Sequence, residues 1–169
     1  RREAQLAAAE VDESAEILTF TPPSKQRERW IARVVDEQSR TLSTVRAEVF
    51  SRSAVARHHT VLDLNAGLGL LLWEALRAAP EGGVYGFLHR DSERVKQLTS
   101  ELPEHERPVL VSTDDGLSSA VNQIADTVAA HTFDHVVGFN ALAAHEQILG
   151  EGVIPLIASD GALTLAELI

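Results

Sequence analysis

Residues 61–76 read VLDLNAGLGLLLWEAL. Val61-Leu62-Asp63-Leu64 is a short apolar run, as expected of a strand buried on both faces of a parallel sheet. Asn65-Ala66-Gly67-Leu68-Gly69 follows as a glycine-bearing turn, and Leu70 to Leu76 opens a helix. A strand, a glycine turn and a helix in that order form the first unit of a βαβ sheet. Ligands of such sheets bind outside the carboxyl ends of the strands, where strand order reverses. The stretch therefore decides both the fold and the place where a ligand would sit.

The same alternation continues outward. Apolar runs at 60–64, 84–88, 108–111, 133–138 and 162–168 predict five strands. Helical patterns at 68–79, 91–101, 116–130 and 144–158 lie between them. The expected fold class is α/β: a doubly wound, mainly parallel, Rossmann-like sheet with N-terminal helices. The domain boundary falls where the character changes, giving a helical lead-in over 1–58 and an α/β domain over 59–169. Within the lead-in, residues 1–16 are rich in Ala and Glu and read as helical. Residues 17–20 read as extended, closed by Pro22-Pro23, with Ser24 as an N-cap. The next helix places Trp30, Ile31, Val34 and Val35 on one face, and a second, over 43–57, uses Val45, Val49 and Phe50.

The chain has 169 residues, with 44% hydrophobic and 24% charged, which fits one globular domain with a real core. It contains no Cys, so disulfides and thiolate metal sites are excluded, and a cytoplasmic location is expected. No apolar run approaches the roughly 18 residues of a membrane span. The chain begins at Arg1 and contains no Met, so it reads as a piece of a longer protein, with its C-terminus expected to be truncated. Charge is uneven. Residues 1–59 hold 10 Lys/Arg and 9 Asp/Glu, whereas residues 60–169 hold 5 and 16. Because phosphate contacts dominate nucleic-acid affinity, no direct nucleic-acid contact is expected from residues 60–169.

Two ligand patterns compete for the first turn. A nicotinamide dinucleotide turn, G-x-G-x-x-G, would need glycine where Asn65, Gly67 and Leu70 stand, and only one matches. An S-adenosylmethionine turn has an acid followed by three alternating glycines. Asp63, Asn65, Gly67 and Gly69 match three of those four positions. Asn65 is the best non-glycine substitute if its position needs a positive φ.

With VLDLNAGLG as its first motif, FDHVVGFNAL as its fourth strand and LIASDGALTLAEL as the turn into its fifth, the segment 59–169 resembles a class I S-adenosylmethionine-dependent methyltransferase. The resemblance implies S-adenosylmethionine as cofactor. It puts Asp63 near the methionine amino group and Gly67 and Gly69 under the ligand. Asp114 or Asp115, after the third strand, would face the adenine, and Asn140, after the fourth, would border the substrate side. One departure bears on binding. The family usually ends its second strand with an acid that accepts hydrogen bonds from both ribose hydroxyls. Here VYGFLHRD puts Leu88 there, which forfeits on the order of 1–3 kcal/mol per lost bond unless Asp91 reaches the same place. The turn Gly138-Phe139-Asn140-Ala141 also lacks the prolines and aromatic residue of base-amine methylating enzymes. The methyl acceptor and the catalytic residues stay unassigned.

Each of these residues also has a plain structural reading. The glycines make an ordinary strand-to-helix turn, Asp63 holds that turn, Asp114 and Asp115 are solvated, and Asn140 is a turn residue. The seven histidines are scattered and no metal site is expected: His58 and His59 would point apart in a strand, and a strand starts between His131 and His135. A further resemblance covers RREAQL, TPPSKQRERW, EQSRTL and RHHTVLDLNAGLGLLLWEAL. It is to a domain fused behind a bacterial AAA+ ATPase of the replication-recombination group related to clamp loaders. That resemblance implies a fused ATPase partner and a non-catalytic interaction role in DNA replication or recombination, as the alternative to a methyltransferase. No P-loop is present, so any ATPase chemistry belongs outside this chain.

Overall fold

The computed structural model describes residues 25–36, 40–89, 92–128, 132–144 and 152–168. Five strands form one all-parallel sheet: β1 (Val61–Asp63), β2 (Val84–Leu88), β3 (Val109–Ser112), β4 (Phe133–Phe139) and β5 (Ile157–Ala166). Their spatial order is β3-β2-β1-β4-β5, so the chain reverses direction across the sheet between β1 and β4. This is the doubly wound α/β arrangement expected from the sequence, with a topological switch point at the end of β1.

Helices cover both faces. α1 (Lys25–Asp36), α2 (Arg40–Ser53), α3 (Leu72–Ala78) and α4 (Glu93–Ser100) bury their apolar side chains with Val61, Val84, Leu88, Val137 and Phe139. α5 (Leu117–Thr127) and α6 (Ala141–Ala144) cover Leu62, Leu64, Phe87, Val111 and Val136 on the other face. Successive strand residues feed opposite layers, which is why the strands read as unbroken apolar runs. Ile31 and Val49, from the two lead-in helices, lie in the same core as the sheet. Residues 1–24, including the extended stretch and the Ser24 cap expected there, lie outside the described residues. So do the side chains of Trp30, Val34 and Val35. No described helix is long and apolar enough to cross a membrane.

Three elements differ from the sequence reading, each for a local reason. α2 starts earlier and stops at Ser53, because Ala54 takes a positive φ of 48° and turns the chain out of the helix. The helix expected over 68–79 is split: Ala66–Leu68 form a single 3₁₀ turn, Gly69 reverses in the left-handed region, and α3 begins only at Leu72. The helix expected to reach residue 158 does not. Pro155 sits in a 3₁₀ turn, Ile154–Leu156, and β5 starts at Ile157. β5 then pairs Phe133 with Ile157 but His135 with Ala162, so residues 158–161 bulge out of the ladder. Gly161 lies so close to the Phe133 carbonyl that a Cβ there would stand 2.9 Å away. Among the described residues, β5 pairs only with β4, leaving its outer edge open.

Candidate functional site

The switch point brings the end of β1, its glycine turn and the end of β4 together. Asp63, the last residue of β1, is 1% exposed. Its Oδ1 accepts the Asn65 backbone N–H at 3.0 Å, whereas Oδ2 is buried without a hydrogen-bond partner. Burial raises this carboxyl from its ordinary 3.8 to about 7, while the amides of Asn65 and Leu72 pull it back down. A buried carboxylate with one unmatched oxygen is costly, and it is suited to receive a cationic or hydrogen-donating ligand group.

Asn65 does not occupy the site for the reason its sequence suggested. Its φ is −142°, an ordinary negative value, so no glycine-like freedom is needed. Its side chain instead donates to the Phe139 carbonyl at 3.0 Å, tying the β1 turn to the end of β4. Gly69 is the position that needs glycine. Its φ is +69°, its N–H closes the 3₁₀ turn on the Ala66 carbonyl at 2.8 Å, and a Cβ would strike the Trp73 indole. Gly67 faces the loop after β2, where a Cβ would stand 3.0 Å from Ser92 Oγ and 3.4 Å from the His89 carbonyl. Gly69 is thus required by the chain's own packing, whereas Gly67 is only tightly packed, and any ligand resting on Gly67 must use the side turned away from Ser92.

Asn140 takes a positive φ of 50° and helps to close the end of the sheet. Its N–H donates to the Ala166 carbonyl at 2.8 Å and its Oδ1 accepts the Leu168 N–H at 2.9 Å. Glu167, which carries no signal in the sequence, joins this clasp by accepting the Leu142 N–H at 2.9 Å. Asp114 and Asp115 stand in an exposed turn after β3, two strands from Asp63. The Asp114 N–H donates to Ser112 Oγ at 3.2 Å. The structure therefore gathers Asp63, Asn65, Gly67, Gly69 and Asn140 at one end of the sheet and leaves the two aspartates on its flank.

Leu88 ends β2 and is 3% exposed, packed in the α3-side core. Its carbonyl accepts both the backbone N–H and the hydroxyl of Thr113, at 2.8 and 3.0 Å. The strand end runs straight into this ladder, so residue 88 presents no acceptor from its side chain. Asp91 lies outside the described residues.

At the opposite end of the sheet sits a histidine pair that sequence reasoning missed. His58 and His59 lie in a turn rather than a strand, with their ring centroids 4.7 Å apart in an edge-on contact. His59 meets His135, 76 positions away, with Nδ1 and Nε2 separated by 2.9 Å. No spacing in the sequence could reveal that contact; only the pairing of β1 with β4 creates it. His131 and His145 lie outside the described residues, and no group of three or more potential metal ligands occurs among the described ones.

No protein-family model and no curated protein matches the chain. Solved structures do. Coclaurine N-methyltransferase bound to N-methylheliamine and S-adenosylhomocysteine superposes with a TM-score of 0.53 at 15% identity, over 72% of this chain and 34% of that one. This chain thus spans about a third of that enzyme's length. Precorrin-6y C5,15-methyltransferase from Geobacter metallireducens GS-15 gives a TM-score of 0.54 at 17% identity, over 77% of this chain and 68% of that one. Identities this low speak to architecture alone: the five-stranded parallel sheet with helices on both faces is a class I methyltransferase-like fold.

Proposed function

We propose that this chain is a methyltransferase-like domain that takes S-adenosylmethionine, or its product S-adenosylhomocysteine, at the end of β1. The observation that carries the reading is Asp63. Its carboxylate is buried at the switch point with Oδ2 unmatched, where the amino group of the ligand's methionine end would neutralise it. The cofactor supplies an electrophilic methyl group; Asp63, the turn over Gly67 and Gly69, and the Asn65 link to β4 would hold it, with Asn140 bordering the acceptor. The ribose end fits less well, because Leu88 is apolar and packed in the core. Weak binding follows, by roughly tenfold to a hundredfold relative to a site with an acid there.

A second reading rests on the same Leu88 and on the internal reasons for Gly69 and Asn65. In it the domain keeps the fold, has lost catalysis, and serves as an interaction module of a larger AAA+ ATPase acting in DNA replication or recombination. Calorimetric titration with S-adenosylhomocysteine separates the two. Binding in the micromolar range that disappears in Asp63→Ala supports the first. Absence of heat and of any thermal shift at millimolar ligand removes it and leaves the second.

A further inference from the structure

We propose that His59 and His135 form a proton-operated latch, which releases the Ala56–His59 turn from β4 when the medium turns mildly acidic. His59 Nδ1 accepts the Ala56 backbone N–H at 3.0 Å and faces His135 Nε2 at 2.9 Å. An accepting nitrogen carries no hydrogen, so the proton of the His59 ring is on Nε2 and the donor between the rings is His135 Nε2–H. The remaining nitrogen of His135, Nδ1, is buried and has no hydrogen-bond partner.

An added proton has two destinations, and both are unfavourable. On His59 it must go to Nδ1, which then cannot accept the Ala56 N–H; keeping the bond between the rings would require His135 to carry its own proton on Nδ1, where no acceptor stands. On His135 it must go to Nδ1, creating a buried positive charge whose new donor has no acceptor. The other charged groups nearby relieve this only in part. The Asp134 Oδ2 is already taken by the Thr60 N–H and hydroxyl, at 2.7 and 2.9 Å. Those bonds, with the two histidines, hold the Asp134 carboxyl below its ordinary value despite the opposing cost of burial. Arg57 is bound to Glu81, Nη2 to Oε1, at 2.9 Å, and the His58 ring lies edge-on to His59. Burial and the neighbouring His59 ring, opposed by Asp134, hold His135 below its usual 6.5. Neutral histidines therefore keep the latch shut, and protonation opens it.

The latch spans the joint between the α2 connector and strand β4, so its opening is local. Hydrogen exchange followed by NMR on the whole chain reads it directly. Between about pH 7.5 and about pH 5.5, the protection factor of the Ala56 amide is expected to fall by about tenfold or more. The Leu64 amide, which donates to the Val137 carbonyl at 2.9 Å in the sheet interior, is expected to keep its protection. In the double variant His59→Asn/His135→Gln, which keeps one acceptor and one donor and cannot titrate, the fall is expected to vanish. Should that variant fail to fold, ring-nitrogen shifts of the wild type at about pH 7.5 are expected to show His59 Nδ1 bare and His135 Nε2 protonated. The proposal is overturned if Ala56 stays equally protected, if Leu64 loses protection in step with it, if the fall survives in the variant, or if the ring protons sit the other way round.

Discussion

At the scale of single residues, Asp63 connects stability to ligand capture. Its folded value of about 7 lies above the ordinary 3.8. The folded state therefore holds a proton that the unfolded chain releases. This contribution is fully present below about pH 4 and is lost as pH rises through about 7. At about pH 8 the folded protein carries a buried charge costing on the order of 4 kcal/mol. Asp63→Asn keeps the shape and the acceptor for the Asn65 N–H, and removes that charge. Thermal denaturation at about pH 8 is expected to show Asp63→Asn more stable than wild type, by on the order of 10 °C. The gain is expected to disappear near about pH 4, where both forms are neutral. Equal melting temperatures at the higher pH would mean that Asp63 is not the strained group described here. The same substitution is expected to abolish binding of S-adenosylhomocysteine, since no carboxylate remains to meet the amino group.

At the scale of elements, Asn65 is a tie between the first turn and the fourth strand. Removing its amide in Asn65→Ala leaves the Phe139 carbonyl without that donor, and is expected to cost about 1 kcal/mol in urea denaturation. A substitution to Gly is expected to cost at least as much, because the turn's φ of −142° draws nothing from glycine's extra freedom. An Asn65→Gly variant more stable than wild type would return the residue to the role its sequence position suggested. The contrast shows what could be read from sequence. β1 to β4 were legible because strands buried on both faces are written as short apolar runs, and the helices between them as periodic ones. The position of Leu88 at a strand end, and the gathering of Asp63, Gly67, Gly69 and Asn140, followed from that alternation. Asn65 was placed correctly and explained wrongly, since backbone angles are not written in a residue's identity. The start of β5 was missed because its first residues bulge around Gly161 instead of alternating. The His59–His135 contact was invisible because it depends on which strands become neighbours.

For the whole molecule, the uneven charge sets what can approach. The described turns at the carboxyl end of the sheet carry Asp114, Asp115 and Glu167, and residues 60–169 hold 16 acids against 5 bases. A gel-shift assay with a short DNA duplex at about 150 mM salt is expected to show no retention by residues 60–169 in the intact chain. Retention that weakens when lysines and arginines of α1 and α2 are neutralised would assign it to the lead-in helices. Retention insensitive to those changes would contradict the charge argument.

Among the described residues the outer edge of β5 is unpaired, and that edge carries a liability of its own. Ile157–Ala166 runs for 10 residues with no Lys, Arg or Pro, and Asp160 is its one charge. Its outward backbone groups form a template onto which another extended segment can add, and nothing in the strand repels one. The isolated chain is therefore expected to self-associate as its concentration rises, growing mixed-size assemblies by edge-to-edge strand addition. Ala162→Lys, a guard of the kind many edge strands carry, is expected to keep it monodisperse in light scattering. An unchanged size distribution would mean that this side is already shielded in solution.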